Sequence, residues 1–217
     1  MNRRAIVIGT VTVAVAAFAI AAAYYPRDTG TAQQEESNLV RAHSPVIGPA
    51  DAPVTIVEFL DPSCEACRAF YPIVKQIMDA FPNETRLVIR YAALHEGSDE
   101  AVRILEAARL QDRFTPVLEK LFFEQPQWAI HGAPDMEKAW SFAGDAGLDV
   151  AKAREDAKSP EISTVLEQDM ADVKVVNLQG TPTFFVNGKP LASFGPQQLY
   201  DLVAAEVAAA RGATPSQ

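Results

Sequence analysis

The chain has 217 residues, of which 48% are hydrophobic, and its formal net charge is −9. This length and composition predict one domain with a sizeable core, and they exclude a disordered chain as the default. An acidic body of this kind repels a phosphate backbone, so we expect no nucleic-acid partner.

The N-terminal segment, residues 1–25, has the pattern of an export signal. Arg3 and Arg4 form a positive start, and an apolar run follows from Ala5 to Tyr25. Alanines near its end fit an A-x-A cleavage site, which predicts a signal peptide. About 20 apolar residues also suffice to span a bilayer, so an uncleaved N-terminal membrane anchor stays an alternative. In either case we expect the rest of the chain in the periplasm or at the extracytoplasmic face of the cell membrane.

A polar tether, residues 26–44, leads to the region that contains both cysteines of the chain. Residues 54–60 are β-branched and apolar enough for a buried strand, and an amphipathic helix pattern runs from Cys67 to Phe81. Cys64 and Cys67 therefore lie at a strand-to-helix junction. Unpaired N–H groups and the positive dipole end of that helix favour a thiolate at Cys64.

The cysteine pair is open to three interpretations: reversible thiol/disulfide chemistry, a metal site or an inert bridge. The three histidines, His43, His95 and His131, are scattered in sequence, which disfavours a closed zinc site. We assign no metal ligands, but a two-thiolate site for a soft ion such as Cu(I) stays open.

The remaining elements follow in chain order. Residues 86–91 form a second strand that completes a right-handed βαβ unit. Residues 98–178 show no strand pattern and only helical periodicity, with four helices predicted. The Asn187-Gly188 pair predicts a hairpin between strands at Thr183–Val186 and Leu191–Phe194.

A last helix opens at Pro196, and a tail follows it.

The cysteine junction, together with the segment from Gly180 to Gly188, resembles the thioredoxin superfamily and within it the DsbA-like thiol:disulfide oxidoreductases. In that family a cis-proline packs beside the dithiol, and Pro182 matches its position. Glu58, six residues before Cys64, matches the buried acid of the family, and Pro72 matches its helix-kink proline.

The resemblance implies an α/β protein with a thioredoxin fold: a mixed central sheet flanked by helices, with an inserted all-helical subdomain. We expect a first thioredoxin-like part at residues 45–97, the helical insertion at 98–178, a second thioredoxin-like part at 179–211 and a tail at 212–217.

The resemblance also implies roles for the site residues. Cys64 would attack, Cys67 would resolve the mixed disulfide, and Glu58 would carry the proton of Cys67; as a strand residue it could also face solvent. Thr181 and Pro182 would bind the extended substrate peptide. Besides the redox-active Cys64–Cys67 disulfide, no cofactor is implied.

Glu65 and Ala66, between the cysteines, are expected to tune the redox chemistry. They replace the Pro-His dipeptide of the strongest oxidants in the family, and an acid at Glu65 should oppose the Cys64 thiolate. The direction of exchange therefore stays open between oxidase, reductase and isomerase. The expected partners are protein thiols and a membrane redox protein. A Cu(I) carrier that uses the same two thiolates is the alternative function.

Overall fold

The computed structural model describes residues 38–213, so the predicted export segment lies outside the described residues. Five strands and seven helices are assigned within this range. The strands are β1 (Val46–Ile47), β2 (Val54–Leu60), β3 (Thr85–Tyr91), β4 (Thr183–Val186) and β5 (Lys189–Pro190). The helices are α1 (Glu65–Ala80), α2 (Ser98–Arg109), α3 (Phe114–Trp128), α4 (Met136–Asp145), α5 (Val150–Asp156), α6 (Pro160–Val175) and α7 (Pro196–Ala213).

The sheet has the strand order β1-β3-β2-β4-β5. β2 and β3 pair in parallel across the α1 crossover, and the other pairs are antiparallel. The central strand β2 is buried along nearly its whole length, because apolar clusters lie on both of its faces. This arrangement explains its continuous apolar sequence, and it confirms the predicted mixed α/β fold.

The region between β3 and β4 is helical throughout, as the sequence predicts, and it holds α2 to α6. Trp128 and Trp140 are both buried in its core. One of its five helices, the short α5, was not predicted. It begins where the Asp149 side chain accepts a hydrogen bond from the Lys152 N–H, but its single buried residue, Ala153, gives it almost no apolar periodicity.

Buried ion pairs connect the helical region to the sheet. Arg90 of β3 donates to Asp169 at 2.8 Å and to Asp172 at 2.6 Å, and all three side chains are buried. Arg41 also donates to Asp172, at 2.7 Å. These contacts join the segment before β1, the sheet and α6, and they place the helical region against the end of β3.

The predicted hairpin is right at its turn and wrong in its second strand. Asn187 and Gly188 adopt positive φ angles of 47° and 78°, so a two-residue turn closes the hairpin and pairing begins at Lys189. The strand ends at Pro190 instead of extending over Leu191–Phe194. Phe194 leaves the sheet, and its ring lies 4.3 Å from the ring of Phe70 on α1.

Among residues 38–213, no helix has both the length and the apolar character needed to cross a membrane.

Candidate active site

The two cysteines lie where the chain leaves β2 and enters α1. Cys64 is the N-cap residue of this helix and Cys67 lies in its first turn. Both are free thiols; Cys64 is 6% exposed and Cys67 is fully buried. An incoming sulfur can therefore reach Cys64 but not Cys67.

The environment of Cys64 favours a thiolate. Its pKa is lowered from 9.0 to about 5, mainly because the Cys67 thiol donates a hydrogen bond to it. Partial burial acts in the opposite direction, while the Thr181 side chain and the backbone N–H groups of Cys67 and Ala66 lower the pKa further. The backbone donors are the unpaired groups of a helix N-terminus, where an anion is stabilised.

Cys67 has the opposite character. Burial is the main reason that its pKa is raised, and its hydrogen bond to Cys64 and the nearby charge of Glu58 add to the effect. The backbone N–H of Asp61 donates to the Cys67 sulfur at 3.4 Å. At neutral pH the pair therefore consists of a Cys64 thiolate and a Cys67 thiol.

Glu58 lies inside the protein, not on a solvent face. It is fully buried in the middle of β2, and neither carboxyl oxygen has a hydrogen-bond partner among the described residues. Burial, and secondarily the charge of Cys64, raises its pKa to about 8. The carboxyl group is therefore largely protonated at neutral pH and can exchange a proton near the sulfurs.

The loop before β4 brings Thr181 and Pro182 to the cysteines. The Thr181–Pro182 peptide bond is cis, and Pro182 is buried. The sulfur of Cys64 lies 3.3 Å from the carbonyl oxygen of Thr181, which can accept a hydrogen bond from Cys64 only when Cys64 is protonated. The sequence-predicted residues Cys64, Cys67, Thr181 and Pro182 thus meet at one site, and their assigned roles stay predictions.

Gln125 of α3 is a site residue that the sequence did not indicate. Its amide nitrogen donates to the carbonyl oxygens of Pro62 at 2.9 Å and Cys64 at 3.0 Å. The side chain is 1% exposed, so these bonds form away from water. Gln125 fixes the turn that carries the cysteines, although it lies 61 residues from Cys64 along the chain.

Asp61, at the end of β2, was also missed. Its buried carboxylate accepts hydrogen bonds from the backbone N–H groups of Ser63 at 2.8 Å, Leu94 at 2.8 Å and His95 at 3.1 Å. The Ser98 hydroxyl donates to it as well, and the ring nitrogen Nδ1 of His95 lies 2.7 Å away. Its position just before Pro62 and the cysteines is the only hint that the sequence contains.

The two residues between the cysteines face solvent. Glu65 Oε1 lies 2.8 Å from Nε2 of His131, which the loop between α3 and α4 supplies. The pKa of Glu65 is lowered, first by its own backbone N–H and then by His131. Ala66 contributes its backbone N–H to the Cys64 thiolate. The predicted influence of Glu65 on Cys64 stays a prediction, and the partner of its carboxylate is a histidine.

Within the described part of the chain, no group of three or more His, Cys, Asp and Glu residues could hold a metal ion. For a soft cation, the cysteine pair would supply two sulfur ligands.

Comparison with known proteins agrees with this geometry. A family model described as Thioredoxin matches residues 41–205. The chain therefore belongs to the thioredoxin family. Its structural neighbours are DsbA-like thiol:disulfide oxidoreductases. The predicted branch of the family is therefore confirmed.

Among solved structures, a thioredoxin-like oxidoreductase from Silicibacter pomeroyi DSS-3 is 32% identical, with a TM-score of 0.67; the match covers 80% of this chain and 95% of that one. BdbD from Bacillus subtilis is 26% identical, with a TM-score of 0.68, and the match covers 76% and 93% of the two chains.

Two curated relatives differ in their overall length. Disulfide bond formation protein D of Bacillus subtilis is 29% identical, over 69% of this chain and 70% of the relative. The Na(+)/H(+) antiporter NhaA of Herminiimonas arsenicoxydans is 33% identical over 66% of this chain, but the match spans only 22% of the antiporter. The chain thus corresponds to about a fifth of that relative.

Proposed function

We propose that this chain is an exported thiol:disulfide oxidoreductase that oxidises protein thiols with its Cys64–Cys67 disulfide. The observation that carries the proposal is the asymmetry of the two sulfurs, since Cys64 has a pKa of about 5 and the pKa of Cys67 is raised. A stabilised thiolate favours the reduced form of the protein. The disulfide is then readily reduced, which makes it an oxidant toward substrate thiols.

In the first step a substrate thiolate attacks the Cys64 sulfur. The new sulfur–sulfur bond joins substrate and Cys64, the Cys64–Cys67 bond breaks, and Cys67 leaves with the electron pair. In the second step another substrate thiolate attacks the substrate sulfur of this mixed disulfide, and Cys64 leaves as a thiolate. The substrate loses two electrons and gains a disulfide, and the protein becomes the dithiol.

Glu58 supplies the proton that this reaction needs. Because its pKa is raised to about 8, it is largely protonated when Cys67 is released as a thiolate with a raised pKa. Proton transfer from Glu58 to Cys67 moves the negative charge from the more basic sulfur to the Glu58 carboxylate, which then takes up a proton from solvent because its pKa is about 8.

The substrate lies as an extended segment along Thr181 and Pro182, next to the reactive sulfur. The Cys64 sulfur is 3.3 Å from the Thr181 carbonyl oxygen, so a peptide bonded there has its cysteine within reach. A membrane redox partner accepts the two electrons through a disulfide of its own and so regenerates the oxidised protein. The predicted export of the chain places this cycle in the cell envelope, where thiols are not held reduced.

Trapping of covalent intermediates tests this function. In Cys67→Ser no sulfur of the protein itself can attack the Cys64 mixed disulfide and release the substrate, so under oxidising conditions envelope proteins with free thiols should accumulate as mixed disulfides on Cys64. The adducts are detected by non-reducing electrophoresis and identified by mass spectrometry. The matched Cys64→Ser variant should form none.

Two results would count against the proposal. The first is an absence of adducts on the Cys67→Ser variant under oxidising conditions. The second is copper bound in stoichiometric amounts to the purified wild type without any turnover of a thiol substrate, which would favour the Cu(I) carrier.

A further inference from the structure

A cluster of acids and histidines borders the cysteines, although its members are distant in sequence. Ser63, His95 and His131 line one small cleft beside the turn that carries Cys64. The rings of the two histidines are 6.0 Å apart in an edge-on arrangement. The loop after β3 supplies His95, and the loop between α3 and α4 supplies His131.

His95 is held in one orientation by Asp61. The Nδ1 atom lies 2.7 Å from a carboxylate oxygen of Asp61, and the backbone N–H of His95 donates to the same oxygen at 3.1 Å. Asp61 itself cannot move easily, because its side chain is fully buried and held by several donors. The carboxylate therefore fixes Nδ1 as the donor end of the imidazole.

This arrangement favours a protonated imidazole at His95. Partial burial lowers its pKa, but the hydrogen bond and charge of Asp61 outweigh that effect, with smaller contributions from the charges of Cys64 and Glu65, so the pKa is raised above 6.5. The geometry places the imidazole beside the reactive sulfur, because the Asp61 carboxylate that holds His95 also accepts a hydrogen bond from the backbone N–H of Ser63, the residue before Cys64. An electrostatic interaction between the imidazole and the sulfur acts equally on both partners.

The second histidine acts on Glu65, the acid between the cysteines. His131 lies 2.8 Å from its carboxylate, and both side chains are more than half exposed. Water and salt screen a pair of this kind, so we expect His131 to have a smaller electrostatic effect on the Cys64 thiolate than the half-buried His95.

We propose that the His95–Asp61 pair presents a positive imidazolium to the Cys64 thiolate released in disulfide exchange, and so takes the place of a histidine between the two cysteines. His95 is then a positioning residue for charge, not a group that bonds to the substrate. The proposal rests on the disulfide-exchange function, which it deepens: it explains how a site with an acid at Glu65 can stabilise its reduced state.

His95→Gln tests the proposal, because glutamine can still donate to Asp61 but carries no charge. In the full-length reduced protein, the pKa of Cys64 is measured from the pH dependence of its alkylation by iodoacetamide. We expect it to rise by about one unit. Since only the reduced form gains from the charge, the equilibrium constant with glutathione should shift about tenfold toward the disulfide, equivalent to about 30 mV.

His43→Gln is the matched control. His43 also lies 2.7 Å from a buried aspartate, Asp169, but this pair belongs to the ion network around Arg90. Loss of a histidine–aspartate pair there should leave the pKa of Cys64 unchanged. Equal values in the wild type and in His95→Gln would overturn the proposal, as would equal shifts in both variants.

A second measurement needs no substitution and holds even where a variant fails to fold. By reciprocity, the pKa of the His95 imidazole, followed by NMR, should fall when the wild-type dithiol is oxidised and the thiolate charge disappears. A pKa that does not change on oxidation would contradict the proposal. Failure of the parent function is separately visible, since a wild type that exchanges with no protein thiol can still be titrated in both redox states.

Discussion

Cys64 and Cys67 carry the same functional group one helical turn apart, yet their pKa values shift in opposite directions. The difference comes from position: Cys64 is the N-cap residue, while Cys67 is enclosed by the core and faces the buried Glu58. The thiol of Cys67 donates a hydrogen bond to the Cys64 thiolate. The lowered pKa of Cys64 therefore depends on Cys67.

This dependence predicts different effects for two substitutions of Cys67. Cys67→Ala removes the donor, so the pKa of Cys64 should rise from about 5 toward 9.0, by roughly 1 to 2 units. Cys67→Ser retains a hydroxyl donor, so the rise should be smaller. Ultraviolet absorbance of the thiolate, followed against pH, measures both values. A Cys64 pKa that stays at the wild-type value in both variants would show that Thr181 and the helix N-terminus lower it without the Cys67 thiol.

At the scale of elements, the helical region does more than cover the sheet. Gln125 of α3 contacts the turn between β2 and α1, where its side chain donates to two carbonyl oxygens. The loop after α3 supplies His131, which contacts Glu65 between the cysteines. The insertion thus contacts the active-site turn at two points, and the helical periodicity of the sequence does not show this.

Gln125→Met should destabilise the protein by about 1 to 2 kcal/mol, because the Pro62 carbonyl oxygen loses its donor and the Cys64 carbonyl oxygen keeps only the Arg68 N–H, while the side-chain volume is nearly kept. Chemical denaturation of the reduced protein measures the effect. The control is Gln127→Met, the same change two residues along α3 at an exposed position, which should cost less than about 0.5 kcal/mol. Equal losses in the two variants would show that the bonds to the active-site turn add no stability.

The sequence predicts elements well where a local pattern dictates them. The β2–α1 junction, the position of Pro182 and the Asn187-Gly188 turn all follow from short motifs and are found in the structure. Two errors are local as well: α5 has too few buried residues to show a period, and β5 ends at Pro190, so that Phe194 packs on Phe70 outside the strand.

The partners of the site residues could not be predicted in this way. Asp61 and His95 are 34 residues apart, and Glu65 and His131 are 66 apart. Asp61 and His95 meet because they follow β2 and β3, which pair in parallel, while Glu65 and His131 meet only when the helical region folds back on the sheet. Because the histidines are scattered in sequence, they argue against a metal site. For the same reason the sequence does not show that His95 and His131 lie near the Cys64 thiolate.

Glu58 and Cys64 give the stability of the reduced protein two opposing pH dependences. The pKa of Glu58 is raised from 4.5 to about 8, so between these values the folded state keeps a proton that the unfolded state has lost, and stability falls as pH rises. The pKa of Cys64 is lowered from 9.0 to about 5, so between these values the unfolded state holds the extra proton, and stability rises with pH. The two slopes offset each other between pH 5 and pH 8.

Removing one group should expose the slope of the other. In Cys64→Ser only the Glu58 term remains, so the free energy of unfolding, relative to the reduced wild type, should fall with rising pH by up to about 1.4 kcal/mol per unit. In Glu58→Gln the Cys64 term remains and the difference should change in the opposite direction. Because the Cys64 charge contributes to the raised pKa of Glu58, the fall in Cys64→Ser should end below pH 8. Denaturant titrations of the reduced proteins between pH 5 and pH 8 measure both slopes, and parallel pH profiles in the two variants would contradict this coupling.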